Sequence, residues 1–215
     1  MTGARAPKRL PRAVREQQML DSAARIFSRH GYHAAGVDEI ADGAGISKPM
    51  IYLYFGSKEE LFVAVVQREA ERLNEMIDQA VAGARSPYQQ LRGALEAFLI
   101  FVAERRDGWS VLYRQARSQG DLFADGVNAI RDRTVRVVAS LLGRAVSEAG
   151  AALPPQQELV ATGHAIVGGC EAIADWLVEQ TDVAPEMAAR RAVELAWNGL
   201  SGLFQPALAD PEPSR

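Results

Sequence analysis

The segment GVDEIADGAGISKPMIYLYFGSKEEL, at positions 36–61, constrains the fold of this chain more than any other feature. Within it Ala41, Gly45 and Ile51 stand four and then six residues apart. A helix-turn-helix needs a small residue where its helices meet, a turn residue that tolerates positive φ, and an apolar residue buried beneath the second helix. The spacing therefore predicts two short helices joined by a turn at Gly45.

The first of these helices is predicted over 38–44 and the second over 48–55. Ser47 stands at the N-cap of the second helix, and Pro49 in its first turn loses no hydrogen bond, because the first N–H groups of a helix have no intrahelical partner. At about 1.5 Å per residue this helix is about 12 Å long, which matches the width of the DNA major groove.

The outward face of the second helix is apolar and aromatic. At 100° per residue Ile51 points to the core, whereas Leu53 points away from it and Tyr52 flanks Leu53. Such side chains suit contact with thymine methyl groups and sugar edges, and Lys48 can reach bases or phosphates. The alternative is an ordinary helix pair whose tyrosines are core residues.

A feature that is predicted to bind phosphate lies at positions 57–60, directly after the second helix. Ser57-Lys58-Glu59-Glu60 reads as a capping box that opens a new helix, and a helix N-terminus with a lysine in its first turn attracts phosphate. The candidate DNA-contacting residues are therefore Ser47, Lys48, Pro49, Met50, Tyr52, Leu53, Tyr54 and Lys58.

The charge of the chain is divided unevenly. The formal net charge is −3, with +2 in residues 1–60 (nine basic, seven acidic) and −5 in residues 61–215 (fifteen basic, twenty acidic). Residues 1–14 are predicted to form a basic flexible arm that adds phosphate or minor-groove contacts, and a solvated tail is the alternative. The basic residues of this arm are Arg5, Lys8, Arg9 and Arg12, and Arg15 follows directly after it.

Several other classes of protein are disfavoured. No uncharged apolar run approaches the ~18 residues that span a bilayer, and the arm lacks the apolar segment of a secretory signal, so we expect a cytoplasmic protein without membrane contact. A single Cys170 excludes an intramolecular disulfide framework. His30 and His33 have a metal-like spacing without a third local ligand, and no nucleophile elbow is present. We therefore expect no metal, no cofactor and no catalytic residues.

Beyond Leu61 the pattern is helical almost to the end, which predicts an all-α fold. Proline, glycine and Asp-Gly positions divide this helical region into separate helices. Helices are predicted over 58–83, from Ser86-Pro87 to about Arg106, over 109–119, over 127–149, over 156–180 and over 185–204, with a break at Asp107-Gly108 and a loop or bend bracketed by Gly120 and Gly126.

The middle helices are expected to hold the regulatory site. Aromatic residues are concentrated around the Asp107-Gly108 break, with scattered polar groups nearby, and an apolar cavity with few polar contacts is typical of a ligand pocket. It is equally typical of a helical core. The candidate ligand residues are Phe98, Phe101, Trp109, Tyr113, Arg114, Phe123, Asn128 and His164.

The last two helices carry small residues inside helical patterns. A glycine there costs about 1 kcal/mol relative to alanine unless close packing compensates. Together with nearby aromatic residues this predicts two helices whose surfaces press against other helices, and a purely intrachain core is one reading of that pattern. The candidate interface residues are Gly168, Ala172, Trp176, Trp197, Leu200 and Phe204.

Residues 15–66 resemble the N-terminal domain of TetR-family transcriptional regulators. The motifs that carry the resemblance are Met19-Leu20-Asp21-Ser22-Ala23-Ala24, Phe27, Gly31-Tyr32, Ile40-Ala41, Gly45-Ile46-Ser47-Lys48, Ile51-Tyr52, Tyr54-Phe55 and Ser57-Lys58-Glu59-Glu60-Leu61-Phe62. The chain departs from the family where it carries Ala35-Gly36-Val37 in place of a frequent threonine.

The resemblance implies the following organisation: a helix-turn-helix DNA-binding domain at 15–60, a helical effector-binding and dimerisation domain at 61–206, and a flexible tail at 207–215. It implies that the 48–54 helix reads double-stranded operator DNA and that Lys58 contacts its backbone. It further implies that the last two helices form a homodimer interface, which is favoured over a purely intrachain core, that the dimer binds an approximately palindromic operator, and that a small, mostly apolar effector releases it. The alternatives are a helical protein-interaction scaffold and a regulator that needs its ligand to bind DNA.

Overall fold

The computed structural model describes residues 11–115 and 121–199, without the side chains of 115 and 121–127. Within those ranges all regular structure is helical, which confirms the all-α prediction. The helices are α1 (Arg12–Ala34), α2 (Val37–Gly43), α3 (Lys48–Phe55), α4 (Lys58–Val81), α5 (Pro87–Glu104), α6 (Arg106–Trp109) continuing as a π-helical segment (Ser110–Gln115), α7 (Asp121–Glu148), α8 (Gln156–Val178) and α9 (Pro185–Gly199).

The chain forms two compact units. Among the described residues, the first contains 11–70 together with 107–115 and 121–124, and the second contains 71–106 and 125–199. Their boundary falls inside α4, between residues 70 and 71, so the predicted division at 60–61 also lies within a continuous helix.

The core of the first unit gathers around α1. Met19, Ala23 and Phe27 recur every four residues along that helix and are completely buried. The Phe27 ring meets the Phe62 ring edge-on, with centroids 5.1 Å apart. Gly31, at φ 73°, interrupts α1 near its end.

A buried ion pair joins α4 to α1 in the same unit. The guanidinium of Arg68 donates to Glu69 Oε1 at 2.6 Å and to Asp21 Oδ1 at 2.8 Å. The Glu69 side chain is 0% exposed. Because breaking a buried pair leaves an uncompensated charge, this contact strongly constrains how α1 and α4 pack.

Gly108 lies against this ion pair, and the predicted break at Asp107-Gly108 was wrong in its position. The interruption comes at Arg105, and Gly108 lies within α6. A Cβ at Gly108 would stand 2.5 Å from Glu69 Oε2, so the glycine permits close packing instead of ending a helix. The helix predicted over 109–119 is π-helical as far as Gln115, and its last four residues lie outside the described part of the chain.

The second unit packs α5 against α8 and α9. Gly163 of α8 is the close-packing glycine here, since a Cβ would stand 2.9 Å from the Val135 carbonyl oxygen of α7. The loop or bend predicted between Gly120 and Gly126 was wrong from residue 121 onward, because α7 runs continuously from Asp121 through Gly126, while Gly120 lies outside the described residues. One interior glycine costs only about 1 kcal/mol, which a helix of this length outweighs.

Among the described helices, none combines the length and the apolar character needed to cross a membrane.

Candidate nucleic-acid interface

Helices α2 and α3 are joined by a tight turn at Gly45. That residue has φ +67°, as the spacing predicted, and the Ile46 amide donates to the Ala41 carbonyl at 3.0 Å. Ile40, Ala41 and Ile51 are all buried where the two helices meet. These contacts fix the direction in which α3 projects its other side chains.

Helix α3 has the predicted bounds and the predicted faces. Ser47 occupies its N-cap position without a side-chain capping hydrogen bond, and Pro49 lies in the first turn. Ile51 is fully buried, whereas Tyr52 is 41% and Leu53 is 74% exposed. An isolated exposed leucine is ordinary, but a helix face with Pro49, Tyr52 and Leu53 all exposed is an apolar patch that suits a partner surface.

Lys48 is the only charged residue of α3, and it is paired. Its Nζ atom lies 2.9 Å from Asp38 Oδ2 at the start of α2. The hydrogen bond and the charge of Asp38 raise the pKa of Lys48 above its ordinary value. Sequence reasoning missed this pair, because ten residues and a turn separate its members.

The end of α3 is tied to the beginning of α1. The Arg12 guanidinium lies 5.2 Å from the centre of the half-buried Tyr54 ring, which is within cation–π range. Helix α1 begins at Arg12, so Arg12 and Arg15 belong to a helix. Arg5, Lys8 and Arg9 of the predicted arm lie outside the described residues.

Lys58 occupies the first turn of α4, as predicted. Ser57 Oγ accepts a hydrogen bond from the Glu60 amide at 3.0 Å, which is one half of a capping box. The Lys58 ammonium donates to the His33 carbonyl at 3.1 Å and lies 4.9 Å from the Tyr32 ring centre. Burial lowers its pKa. The side chain thus links α4 to the end of α1, and its predicted phosphate contact would come in addition to that link.

The candidate ligand residues do not form one group within either unit. Phe98, Phe101, Asn128 and His164 belong to the second unit, and Trp109, Tyr113, Arg114 and Phe123 to the first. Phe101 and Trp109 are buried, and the Trp109 and Tyr113 rings stack with centroids 4.5 Å apart. Asn128 and Arg114 are exposed. The Phe123 side chain lies outside the description.

His164 belongs to a polar cluster that sequence reasoning missed. Arg131 of α7 donates through Nε to Glu171 Oε1 at 2.9 Å, and its Nη1 lies 3.2 Å from His164 Nδ1. Because a guanidinium can only donate, His164 Nδ1 is the acceptor of this bond. The cluster fastens α7 to α8.

A groove between the second half of α7 and the start of α8 was also not predicted. Its volume is about 530 Å³. Its floor includes Leu159 and Val160, and its rim carries Arg136 and Arg144. None of the candidate ligand residues lines it.

The candidate dimer residues on α8 lie on an exposed face. We use the term α8 face for Ala161, Ala165, Gly169, Ala172 and Trp176, which are all exposed and recur at intervals of three or four residues. A Cβ at Gly169 would meet nothing within 4 Å, so no part of the described chain packs there. Gly168 is half-buried beside this face.

Trp197 on α9 has a partner within the chain. Its ring meets the Tyr88 ring edge-on at 4.8 Å, and it packs against the cluster of Ala139, Leu142 and Leu159. Leu200 and Phe204, the remaining candidate dimer residues, lie outside the described part of the chain.

The described residues offer little for catalysis. They contain no group of three or more His, Cys, Asp or Glu side chains placed to hold a metal ion. Burial, followed by the charge of Glu171, raises the pKa of Cys170 to about 12. The sulfur is therefore a protonated thiol near neutral pH, and a thiol is a poor nucleophile.

Comparison with known protein families gives matches to both parts of the chain. Residues 19–65 match the family described as bacterial regulatory proteins, tetR family, and residues 87–199 match the tetracyclin repressor-like C-terminal domain. The first match covers the helix-turn-helix, and the second runs from α5 to the end of α9.

Individual relatives agree with these matches. The chain is 34% identical over 199 residues to the HTH-type transcriptional activator FasR of Mycolicibacterium smegmatis, covering 93% of this chain and 89% of that protein. It is 30% identical over 135 residues to the repressor KstR of the same species, covering 62% and 64%. A TetR-like transcriptional regulator from Rhodococcus sp. RHA1 has 45% identity and a TM-score of 0.79, with 90% of this chain and 100% of that chain covered.

Proposed function

The chain belongs to the tetR family of bacterial regulatory proteins, and we propose that it is a homodimeric repressor that binds an approximately palindromic operator and is released by a small, mostly apolar effector. As a member of this family it is a transcriptional regulator and not an enzyme. We propose four further properties: the form of its operator, its assembly as a homodimer, the class of its effector, and repression instead of activation.

The observation that carries the proposal is the exposed face of α3. Leu53 at 74% and Tyr52 at 41% exposure form an apolar surface on a helix short enough for the major groove, with Lys48 at its N-terminus. Apolar groups of this kind contact thymine methyls, and a lysine reaches guanine or phosphate. The candidate contacts remain Ser47, Lys48, Pro49, Met50, Tyr52, Leu53, Tyr54 and Lys58.

The α8 face supports a two-fold dimer. Its small side chains allow close approach of another helix, and Trp176, 45% exposed, supplies a large apolar anchor of the kind that dominates interface energy. A neighbouring groove of about 270 Å³ between α8 and α9 is lined by Ile166, Ile173 and Leu195, the last 70% exposed. A second copy covering both features would remove this apolar surface from water.

Dimerisation gives the operator its form. A two-fold axis relates two copies of α3, so each copy reads the same short sequence on opposite strands. Half-sites one helical turn apart, or a multiple of that, place both copies on the same side of the duplex. We therefore propose an approximately palindromic operator.

The effector would act by shifting a population of conformations. A ligand that prefers the dimer whose α3 helices are wrongly spaced for DNA lowers operator affinity, and moving occupancy from 99:1 to 1:99 needs about a 10⁴-fold preference. The rings of Trp109 and Tyr113, which stack within the first unit, suit a mostly apolar ligand.

Repression requires only that the dimer occupy a promoter, and it needs no contact with the polymerase. KstR, a relative by 30% identity, is named a repressor. Activation is the second candidate, because the relative matched over 93% of this chain, FasR, is named an activator. The position of the operator relative to the promoter distinguishes the two.

Selection of bound fragments from the source genome at two salt concentrations, followed by footprinting, tests the DNA-binding proposal. We expect a protected palindrome and an affinity that falls with salt. Protection that overlaps the promoter supports repression, and protection upstream of it supports activation. A protein that selects no sequence would contradict the proposal.

The effector proposal is tested on the resulting operator complex. Long-chain acyl compounds and aromatic hydrophobic compounds are titrated into the complex, and release of DNA is followed by fluorescence anisotropy. We expect at least one apolar compound to lower operator affinity. A compound that raises it would support the alternative in which the ligand promotes DNA binding.

A further inference from the structure

We propose that Asp38 is a specificity-determining residue, which positions the Lys48 ammonium so that it reads a base edge in the major groove instead of a phosphate. This inference rests on the proposed DNA-binding function. It adds a residue of α2 to a surface that was predicted from α3 and the start of α4 alone.

The Asp38–Lys48 pair stands out by its place on the molecule. Lys48 Nζ and Asp38 Oδ2 are 2.9 Å apart, while the two side chains remain 43% and 72% exposed. An exposed ion pair contributes little to folding stability. The ion pair therefore matters mainly for binding by this surface. It fixes the only charged group of α3 beside the exposed Tyr52 and Leu53.

The chemistry of the pair favours a base over a phosphate. An ammonium has three donors, and one of them is directed to Asp38, which leaves two for a neighbouring acceptor pair. Guanine presents two such acceptors, O6 and N7, side by side in the major groove. A phosphate that approached the same ammonium would bring its own negative charge close to the Asp38 carboxylate, and that repulsion disfavours the contact.

The neighbouring acid provides a matched control. Glu39 also lies in the first turn of α2, but its carboxylate faces His30, with Oε1 and Nε2 3.4 Å apart, and not Lys48. Asp38→Asn and Glu39→Gln each remove one negative charge from the same helical turn with little change of shape. A difference between them therefore reports the contact with Lys48 and not the net charge.

The experiment measures binding to the mapped operator and to a non-specific duplex over a salt series. For Asp38→Asn we expect the operator preference to fall about tenfold and the non-specific salt slope to steepen by about one, because Lys48 is then free to bind phosphate. For Glu39→Gln we expect the preference and the slope of the parent. Circular dichroism and thermal melting confirm that both variants fold.

A double-mutant cycle with Lys48→Met isolates the pair. If Asp38 acts through Lys48, Asp38→Asn changes the operator preference in the parent but not in the Lys48→Met background. A base-pair scan of the operator is expected to place the loss of operator preference at the same G·C pair for Asp38→Asn and for Lys48→Met.

Two results overturn the inference, and they are distinguishable. If the parent selects no DNA sequence, the proposed function fails and the inference fails with it. If the parent selects an operator but Asp38→Asn behaves as Glu39→Gln does, or acts equally in both Lys48 backgrounds, the inference alone fails.

Discussion

Helices α3 and α8 both leave apolar side chains exposed, but the two faces differ in what surrounds them. On α3, Tyr52 and Leu53 project beside a lysine at the helix N-terminus, on a helix of eight residues. On α8, alanines and a glycine precede Trp176 on a helix of 23 residues. Large groups with a cation suit a groove lined by acceptors, whereas small groups with one anchor suit a second helix. If both faces are interfaces, as we propose, the chemistry beside the exposed apolar area distinguishes a DNA partner from a protein partner.

The largest expected effect is on the α8 face. We expect Ala172→Arg to prevent dimerisation, because it places a bulky charge on the small-residue α8 face, and to weaken operator binding about 10²- to 10⁴-fold through loss of the second half-site. Analytical ultracentrifugation and operator titration measure both. Ala129→Arg, at an exposed position of α7, is the control. A dimeric Ala172→Arg variant would show that the α8 face is not the dimer interface.

Trp176 and Trp197 of the second unit are expected to respond differently to substitution by alanine. Trp176→Ala is expected to raise the dimer dissociation constant about 30-fold, as for an interface hot spot, with little change in unfolding of the monomer. Trp197→Ala is expected to lower the free energy of unfolding by roughly 3 kcal/mol, because its ring packs on Tyr88 within the chain. Sedimentation and urea unfolding separate the two effects. An unchanged dimer in the Trp176 variant would remove that residue from the interface.

The α3 face is probed by Tyr52→Ala. We expect operator preference over non-specific DNA to fall about tenfold, since a ring that contacts base edges is lost, while the melting temperature is unchanged. Tyr52→Phe keeps the ring and reports the hydroxyl alone. Equal operator binding by the parent and the alanine variant would contradict the assignment of α3.

A smaller effect is expected at Lys58, which borders the same surface. Lys58→Met removes the hydrogen bond to the His33 carbonyl and the contact with the Tyr32 ring, so we expect a loss of about 1 kcal/mol in the free energy of unfolding. If the ammonium also reaches a phosphate, the salt slope flattens by about one for every sequence. An unchanged slope with reduced stability would restrict Lys58 to its structural contact.

The smallest effect concerns Cys170, behind the α8 face. Its folded pKa of about 12 lies above the ordinary value of 9.0, so the stability that it contributes is complete below about pH 9 and is lost as pH rises towards 12. Between pH 7 and pH 10 we expect the parent to lose about 1 kcal/mol more than Cys170→Ala. Urea unfolding at the two pH values measures this loss. If the parent and Cys170→Ala lose the same free energy of unfolding, the thiol is not shielded from solvent.

The sequence was most informative where local geometry decides the structure. The bounds of α3 and the positive φ of Gly45 follow from cap, turn and helix signals that lie within ten residues. The same holds for Ser86, which caps α5 by accepting a hydrogen bond from the Gln89 amide at 3.3 Å.

It was least informative where distant segments meet. Gly108 was interpreted as a helix break because nothing near it in the sequence indicates that Glu69 would lie against it. For the same reason Gly163, and not Gly168 or Gly169, proved to be the glycine of α8 in tight contact with another helix of the described chain. The Asp38–Lys48 and Arg131–His164 contacts likewise depend on tertiary proximity.

The contact between Gly108 and Glu69 has a consequence for how the protein is made. Gly108 belongs to the first unit and leaves the ribosome about forty residues after Glu69, so this part of the unit's interior is completed late. Until then the Arg68–Glu69 pair lacks part of its cover, although α1 to α3 have already been synthesised. A fragment ending at residue 70 would lack Gly108, so the Arg68–Glu69 pair would lose the backbone that packs against the Glu69 carboxylate and would keep its contacts with α1.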